Sequence, residues 1–556
     1  MISKGSRSGC SSGTRSVFRA SAPLSRRMRT VLLRPAAVVF LALLAGCGGG
    51  GGAPTVAPAP TGQSVPAIYD DWTTYAHDGQ RTGFEQLPTG ITTSTVGTLT
   101  LAWRNTGVDP ACVRAAQSAT VFVDQASPLA ANGLVYVADV CGVVTALNRD
   151  NGTLVWQTRL PVAGSVSGVY GTPTLANGKL FVPVWGTQSP TARGGYLAAL
   201  DAMTGAVVWE TQPLMYGNMR SDPIVANGRV FEGVSGGDPD TGYVTGGIMA
   251  FDELTGQQIP NTFPIVPSLS IGSLNEGGGS WSPISYDGTS LYFGTGNTKN
   301  NLGYQDSVLA ISPSTLALTA TVAATYDSAG LGSSDEDVGG GELLWGGNLY
   351  FESKNGYYYG YSLATPSNPS AQFKTLVNLH APPGGFGAIW TPTTNGAVIA
   401  VSSGYNRGNY NSDLDVFPVG SGAKICKLEA TNSSLYSYAA FVNGIGFTGI
   451  DNGVPSGTPD GGITGPAPWF VAFDNNCGIL WKANPTDILG YFYAGPAVVE
   501  SGVYAIDNAG NVYAWKLPSR MTASTLRRRE DSIQPGKRLH FWYGHYIPGH
   551  LGPHLY

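Results

Sequence analysis

An asparagine, Asn297, closes a glycine-rich turn in the middle of the chain, at the end of the stretch GGGSWSPISYDGTSLYFGTGN. Two chemically capable groups follow it: the acidic run SSDEDVGGG, with Asp335, Glu336 and Asp337, and Lys354 in FESKNGYYYGYSL. Crowded carboxylates raise one another's pKa, which suits a general base. Each group also has a structural interpretation, as a turn asparagine, a surface loop and a solvated lysine beside a hairpin turn.

The few histidines and the acidic body exclude or disfavour several classes of function. Of the six histidines only His77 and His380 lie outside the C-terminal tail, which excludes a three-histidine zinc site and disfavours a Ser-His-Asp triad. The net charge is −5, and the basic residues concentrate at the two ends of the chain. An acidic body is a poor partner for nucleic acid, because binding there requires neutralisation of phosphates.

A repeating unit organises most of the chain, which holds 77 Gly and 37 Pro and is only 12% charged. Each unit has a small residue and Pro, an apolar strand, an NG or DG turn, two further strands, a TG turn and a strand that ends in Trp. Clear copies are Ala126–Trp156, Gly171–Trp209 and Ser221–Ile259. Four strands per unit at a period of about 40–50 residues predict an all-β, eight-bladed β-propeller of four-stranded antiparallel blades. Val96–Gly107 is predicted to close the ring as the outer strand of the last blade.

The segments outside the repeats predict an exported, membrane-tethered protein. Residues 1–47 form a signal region whose LAGC sequence resembles a lipobox with lipidation at Cys47; an ordinary signal peptide is the alternative, and Met28 is a possible start. Residues 48–68 are a Gly/Pro-rich linker, and residues 69–518 are the propeller. Residues 519–556 are predicted to be a disordered basic tail, with a metal-binding tail as the alternative because of four histidines: His540, His545, His550 and His554.

Export permits disulfides, which makes four cysteines candidates for pairing. We favour the local pairs Cys112–Cys141 and Cys426–Cys477, although sequence alone leaves other connectivities open. No C-x-x-C-H motif occurs, so no c-type haem attachment is expected.

The repeats resemble the PQQ-repeat, quinoprotein alcohol dehydrogenase-like β-propellers, in particular their polyvinyl-alcohol-dehydrogenase-like branch. The resemblance covers residues 71–518 and includes the leading segment DWTTYAHDGQRTGFEQ. It implies the propeller fold, whereas function depends on the site. The family includes PQQ-dependent alcohol dehydrogenases and an outer-membrane lipoprotein that only scaffolds barrel assembly.

The resemblance also implies a cofactor site. In the dehydrogenases PQQ lies over a tryptophan beside a calcium ion, and Trp281 of GGGSWSPISYDG matches that tryptophan. Asn297 matches a calcium ligand, and Asp238 stands where the family has a glutamate ligand. Lys354 matches the cationic residue that contacts the quinone oxygens.

The family also has an aspartate base between the calcium-binding asparagine and the lysine. Asp337 is the match that we favour for this base, with Asp335 as the alternative. The sequence departs from the family in lacking a vicinal cysteine pair, in having loose tryptophan docking motifs in the later repeats and in having no haem domain.

Two functions are expected from these features. The first is an exported quinoprotein that oxidises a small or polymeric alcohol with PQQ and calcium and passes electrons to a separate acceptor. It would be a periplasmic or cell-surface lipoprotein, anchored to the outer membrane. The alternative is a non-catalytic lipoprotein that acts as a scaffold or binding module at the outer membrane. Convergence of Asn297, Lys354 and the acidic run on the ring axis would favour the enzyme.

Overall fold

The computed structural model describes most of the predicted propeller. The described residues are 71–87, 89–106, 126–162, 168–186, 194–236, 244–274, 277–298, 302–324, 336–377, 390–402, 412–430, 435, 437–450, 469–500 and 502–518. All of them belong to one compact unit, Ala67–Tyr556. The signal region with Cys47, the linker and the basic tail lie outside the described residues. Within these ranges, no helix has the length and apolar character needed to cross a membrane.

Eight antiparallel sheets confirm the predicted all-β, eight-bladed propeller. The described residues include two short 3-10 helices, Val96–Thr98 and Pro485–Asp487. Two early strands are β1 (Phe84–Glu85) and β2 (Thr100–Asn105). They belong to sheets whose other strands come from the C-terminal part of the chain. The largest apolar core runs through blades 7, 8, 1 and 2. Smaller cores fill the interfaces between neighbouring blades elsewhere in the ring, and these interfaces are called seams below.

The first four blades follow one another along the chain. Blade 1 has β3 (Leu129–Ala131), β4 (Leu134–Ala138), β5 (Val143–Asn148) and β6 (Leu154–Arg159). Blade 2 has β7 (Thr174–Ala176), β8 (Lys179–Val184), β9 (Tyr196–Asp201) and β10 (Val207–Glu210). Blade 3 has β11 (Asn218–Met219), β12 (Ile224–Ala226), β13 (Arg229–Ser235), β14 (Gly247–Asp252) and β15 (Phe263–Pro264). Blade 4 has β16 (Ser285–Tyr286), β17 (Leu291–Gly294), β18 (Ser307–Ile311) and β19 (Leu318–Ala324).

The other four blades complete the ring. Blade 5 has β20 (Leu343–Trp345), β21 (Asn348–Glu352), β22 (Tyr357–Ser362) and β23 (Ser370–Leu376). Blade 6 has β24 (Thr393–Thr394), β25 (Val398–Ser402), β26 (Ser412–Pro418) and β27 (Cys426–Ala430). Blade 7 has β28 (Ala440–Val442), β29 (Ile445–Ile450), β30 (Trp469–Phe473) and β31 (Ile479–Lys482), with β1 parallel to β28. Blade 8 has β32 (Ala497–Val499), β33 (Gly502–Ile506), β34 (Val512–Lys516) and, as its outer strand, β2.

Ring closure occurs in blade 8, as the sequence predicts. Strand β2 pairs antiparallel with β34 from Thr100↔Lys516 to Asn105↔Val512. The start of the propeller therefore supplies the outer strand of its last blade, which leaves no open end to the fan of sheets.

The leading segment, residues 71–85, holds the inner strands together. Its backbone hydrogen-bonds to residues on the inner strands of six blades: Ala130, Leu175, Tyr286, Leu344, Thr394 and Phe441. Because inner strands line the channel of a propeller, a segment that reaches six of them runs across that channel. The segment thus couples blades that are far apart in sequence.

Tryptophan docking supports four consecutive seams between blades. In each, a Trp on an outer strand donates its indole N–H to a backbone oxygen of the next blade: Trp481 to Leu99, Trp103 to Arg149, Trp156 to Ala202 and Trp209 to Glu253, at 3.0–3.2 Å. Three of these rings also pack on the glycine of the next blade's turn: Gly152, Gly205 and Gly256.

Other contacts replace the tryptophan at later seams, which accounts for the loose motifs there. Phe373 of blade 5 packs against Gly422 of blade 6. Between blades 6 and 7 the structure forms the disulfide Cys426–Cys477, one of the two pairings predicted from the sequence. Cys141 is disulfide-bonded as well, and its predicted partner, Cys112, lies outside the described residues.

Gly205→Ala tests whether tryptophan docking stabilises the ring. A Cβ on Gly205 would lie 2.4 Å from the Trp156 ring, whereas a Cβ on Gly228 would meet nothing within 4 Å, and both residues have φ +71°. The backbone strain is therefore common to both variants, and overpacking adds about 1–3 kcal/mol for Gly205→Ala alone. Chemical denaturation should show that difference in the free energy of unfolding, and equal losses for the two variants would contradict the role of the seam.

Candidate active site

Four residues predicted from the sequence lie at one end of the ring, on blades 4 and 5. Trp281 and Asp337 shortly precede the inner strands β16 and β20, while Asn297 and Lys354 shortly follow the second strands β17 and β21. Neighbouring strands in a blade are antiparallel, so the beginning of the first strand and the end of the second lie at the same end of the blade.

An ion pair joins the lysine to the favoured base. Lys354 Nζ lies 2.5 Å from Asp337 Oδ2, and the Asn297 backbone N–H donates to Asp337 Oδ1 at 2.8 Å. Lys354 Nζ also lies 5.4 Å from the centroid of the Trp281 ring, within the range of a cation–π contact. The Asp337 side chain is 1% exposed and that of Lys354 is 12% exposed, so the pair is largely shielded from water. The structure therefore brings Trp281, Asn297, Asp337 and Lys354 together.

Backbone hydrogen bonds on both sides position Asp337. The Lys354 N–H donates to the Asp337 carbonyl at 3.0 Å, and the Val338 N–H donates to the Thr295 carbonyl at 3.2 Å. The Ser353 hydroxyl donates to the carbonyl of Glu336 at 2.7 Å. The loop that carries the carboxylate is thus attached to the turns of both blade 4 and blade 5.

Two predicted residues, Asp238 and the alternative base Asp335, lie outside the described residues. Within the described part of the chain no group of three His, Cys, Asp or Glu side chains forms a metal site. Asn297 and Asp337 are the two predicted oxygen-bearing residues that the structure places in contact.

A glycine makes room for Trp281. A Cβ on Gly339 would lie 1.9 Å from the edge of the indole, so no larger residue fits at this position without moving the ring. The indole N–H is buried and has no hydrogen-bond partner among the described residues. The backbone of blade 5 therefore supports the tryptophan against which Lys354 lies.

Three further residues extend the cluster and were not predicted. The Arg220 guanidinium carbon lies 5.5 Å from the Trp281 ring centroid, 5.1 Å from that of Trp185 and 5.9 Å from that of Tyr170. The Tyr170 and Trp185 rings are 4.5 Å apart. Burial raises the pKa of Tyr170, so its phenol stays protonated at neutral pH.

The positions of these residues within the repeats could have identified them from the sequence. Tyr170, Arg220 and Trp281 hold comparable places, just ahead of the proline that leads into an inner strand, in YGTP, RSDP and WSP. Trp185 follows its second strand, as Asn297 and Lys354 follow theirs. If the repeats are aligned on the place just ahead of the proline and on the place after the second strand, the extra residues are identified.

A buried arginine of the leading segment, Arg81, contacts the backbone of two loops that carry cluster residues. Arg81 donates to the Ile284 carbonyl from Nε (3.0 Å) and Nη2 (2.5 Å), and to the Asp222 carbonyl at 3.4 Å. These carbonyls lie three residues after Trp281 and two after Arg220 in the chain. Burial raises the pKa of Asp222 to about 6, even though Arg81 acts to lower it. Arg81 thus holds the two loops that carry the indole and the second cation.

Comparisons with known proteins agree with the repeat and with the ring. The family model for the β-propeller domain of glucose, ethanol and alcohol dehydrogenases matches residues 72–168, and the model described as outer membrane protein assembly factor BamB matches residues 141–282. The quinohemoprotein alcohol dehydrogenase of Comamonas testosteroni is 28% identical over 288 residues, which are 44% of this chain and 37% of that protein.

The dehydrogenase subunit of the quinone alcohol dehydrogenase of Gluconobacter oxydans (strain 621H) is 26% identical over 297 residues, 44% of this chain and 36% of that subunit. The alignments thus span little more than a third of the length of these curated relatives.

Solved structures share the fold at low sequence identity. The crystal structure of the Comamonas testosteroni quinohemoprotein alcohol dehydrogenase matches with a TM-score of 0.61 at 17% identity, over 80% of each chain. A europium-containing methanol dehydrogenase matches with a TM-score of 0.58 at 16% identity, over 81% of this chain and 98% of its own. The chain is an eight-bladed β-propeller; residues 72–282 match PQQ-repeat family models, and part of the chain is similar to quinoprotein alcohol dehydrogenases.

Proposed function

We propose that the chain is a quinoprotein that oxidises an alcohol with PQQ and calcium bound at the cluster around Trp281. The observation that carries the proposal is the convergence of Trp281, Asp337 and Lys354, with a 2.5 Å ion pair against an indole. Homology to quinoprotein alcohol dehydrogenases supports the same reaction class.

The residues present fit a flat, anionic quinone. Trp281 offers an aromatic surface, and two cations, Lys354 and Arg220, lie within 5.5 Å of its ring centroid. PQQ, when bound, supplies a quinone carbon that accepts hydride from the alcohol. Lys354 would hydrogen-bond the quinone oxygens and stabilise the negative charge that builds up on them.

Calcium would be held by oxygen atoms of Asn297 and Asp238. Calcium prefers carboxylate and amide oxygens, which these two side chains offer. Asp238 is shorter than the glutamate that it replaces in the family resemblance, so its reach to the metal is part of the proposal. A bound divalent ion would act as a Lewis acid.

Asp337 would remove the proton from the alcohol hydroxyl. Its carboxylate is buried, and the Asn297 N–H and the Lys354 ammonium hold its two oxygens. This arrangement fixes the direction in which the carboxylate accepts a proton, which general-base catalysis requires. Asp335, the alternative base, stays a candidate.

The location and partners of the protein are part of the proposal. A lipidated Cys47 would anchor an exported protein to the outer membrane, with the propeller on the periplasmic or cell-surface side. Its substrate would be a small or polymeric alcohol, as for the polyvinyl-alcohol-dehydrogenase-like branch, and a separate protein or dye would accept the electrons. The competing function, a non-catalytic scaffold or binding module, gives no reason for a buried Lys–Asp pair beside an aromatic surface.

Reconstitution tests the proposed function directly. The purified chain, incubated with PQQ and Ca²⁺, should reduce an artificial electron-accepting dye when a panel of primary, secondary and polymeric alcohols is supplied. Chelation of the metal should abolish that activity, and added Ca²⁺ should restore it. Absence of PQQ binding at micromolar concentrations would contradict the proposal and favour the scaffold.

Asp337→Asn separates catalysis from cofactor binding. The amide keeps the size of the side chain but cannot accept the alcohol proton, so kcat should fall by about 10²–10⁴-fold. PQQ affinity should change far less than kcat, because Trp281 and Lys354 remain. Asp252→Asn, at the last residue of β14, is the matched control and should leave kcat unchanged. If Asp337→Asn keeps wild-type turnover, Asp337 is not the base and Asp335 becomes the next residue to test.

A further inference from the structure

The turn that carries Lys354 is shaped by a side chain as well as by the backbone. Lys354 lies in the connection between β21 and β22, and Asn355 follows it directly. The Tyr357 N–H donates to Asn355 Oδ1 at 3.1 Å. Asn355 is only 6% exposed, although loop residues usually lie on the surface. Its carboxamide therefore helps to define the turn from within the protein.

A tyrosine of β22 reaches back to this turn. The side-chain N–H of Asn355 donates to the hydroxyl oxygen of Tyr359 at 2.8 Å, and both residues are buried. The Tyr359 ring stacks on the ring of Phe351 on the neighbouring strand, with centroids 4.8 Å apart and an angle of 8° between the planes. A packed aromatic side chain has only two χ angles and little freedom, so the hydroxyl offers the amide a fixed point.

The apolar core in which Tyr359 packs also contains Val338, the residue after the proposed base. A Cβ on Gly294 would lie 2.7 Å from the Cβ of Val338, so blade 4 fits closely around this valine. The Lys354 N–H donates to the Asp337 carbonyl at 3.0 Å. One core therefore supports the turn of the ammonium through Tyr359 and the loop of the carboxylate through Val338.

Lys354 depends on this support because its side chain is long and flexible. An ammonium on a four-carbon stem has many rotamers, and fixing it in one place has an entropic cost. Its contacts with Asp337 and with the Trp281 ring both require that the backbone starts from a fixed position. A misplacement of about 1 Å in a catalytic group can cost about 10²-fold in rate.

We propose that Tyr359 is a positioning residue for Lys354 and acts through Asn355. The inference rests on the role of Lys354 in the proposed function, and it adds a residue that stabilises the turn without contacting the reacting atoms. Phenylalanine in place of Tyr359 keeps the stacked ring and removes only the oxygen that accepts the Asn355 N–H group.

Tyr359→Phe should lower the kcat of the full chain loaded with PQQ and Ca²⁺ by about 10- to 100-fold. The KM for the alcohol should change by less than about 2-fold, because Lys354 acts on charge that builds up in the transition state. Tyr361→Phe is the matched control, since Tyr361 lies two residues further along β22 and takes no part in the hydrogen bonds described for this turn. It should leave kcat within about 2-fold. If Tyr359→Phe lowers only the free energy of unfolding and leaves kcat per PQQ-loaded molecule unchanged, the hydroxyl is merely structural and the proposal is wrong.

A double-mutant cycle with Asn355→Ala tests the route of the effect. If Tyr359 acts through Asn355, adding Tyr359→Phe to Asn355→Ala should lower kcat no further. If the two losses instead multiply, Tyr359 acts independently of the amide, which contradicts the proposal.

Crystal structures of the cofactor-free chain separate this inference from the proposed function. In Tyr359→Phe the Nζ atom of Lys354 should lie beyond hydrogen-bonding distance of Asp337, whereas in Tyr361→Phe the ion pair should keep its wild-type distance. A chain that binds no PQQ but shows this displacement keeps the positioning role and loses the proposed enzyme. An unchanged ion pair in Tyr359→Phe overturns the positioning role, even if the chain is an active quinoprotein.

Discussion

Closure of the ring is the constraint on which the rest of this structure depends. The pairing of β2 with β34 joins residues more than 400 positions apart and removes the two open sheet edges that an unclosed fan would expose. The candidate site depends on the packing of successive blades within this ring, because Tyr170, Arg220, Trp281 and Lys354 come from successive repeats and lie close together. Long-range closure has a large entropic cost, which the seams between blades must offset.

Three kinds of contact hold neighbouring blades together at the seams. Four seams bury a tryptophan that donates its indole N–H to the next blade. At the seam between blades 5 and 6 Phe373 packs on a glycine in the same manner, and between blades 6 and 7 a disulfide joins Cys426 to Cys477. The leading segment adds a second connection through the channel, and its Arg81 holds the carbonyls next to the site loops. Stability and site geometry are therefore linked through Arg81.

The sequence was sufficient for the fold because the same turn chemistry recurs in most of the repeats. NG, DG and TG turns with alternating apolar strands specify a blade, and Trp103 in a Trp-ended strand identified the closing strand. Trp281, Asn297, Asp337 and Lys354 were found by resemblance to a family motif. Arg220 and Trp185 were missed, because no single repeat reveals which loop residues face the axis. A comparison between repeats is needed, because it shows that Arg220 holds a place comparable to that of Trp281 and that Trp185, like Asn297, follows a second strand. Asp238 and Asp335 lie outside the described residues, so their part in the site stays a prediction.

We propose that an aromatic surface with two cations and one buried carboxylate binds a quinone. A crystal structure of the full chain grown with PQQ and Ca²⁺ tests it most directly. We expect one PQQ lying flat against Trp281, its quinone oxygens within hydrogen-bonding distance of Lys354 and a metal ion in contact with Asn297. A quinone bound elsewhere on the propeller, or a site without PQQ at saturating concentration, would contradict it.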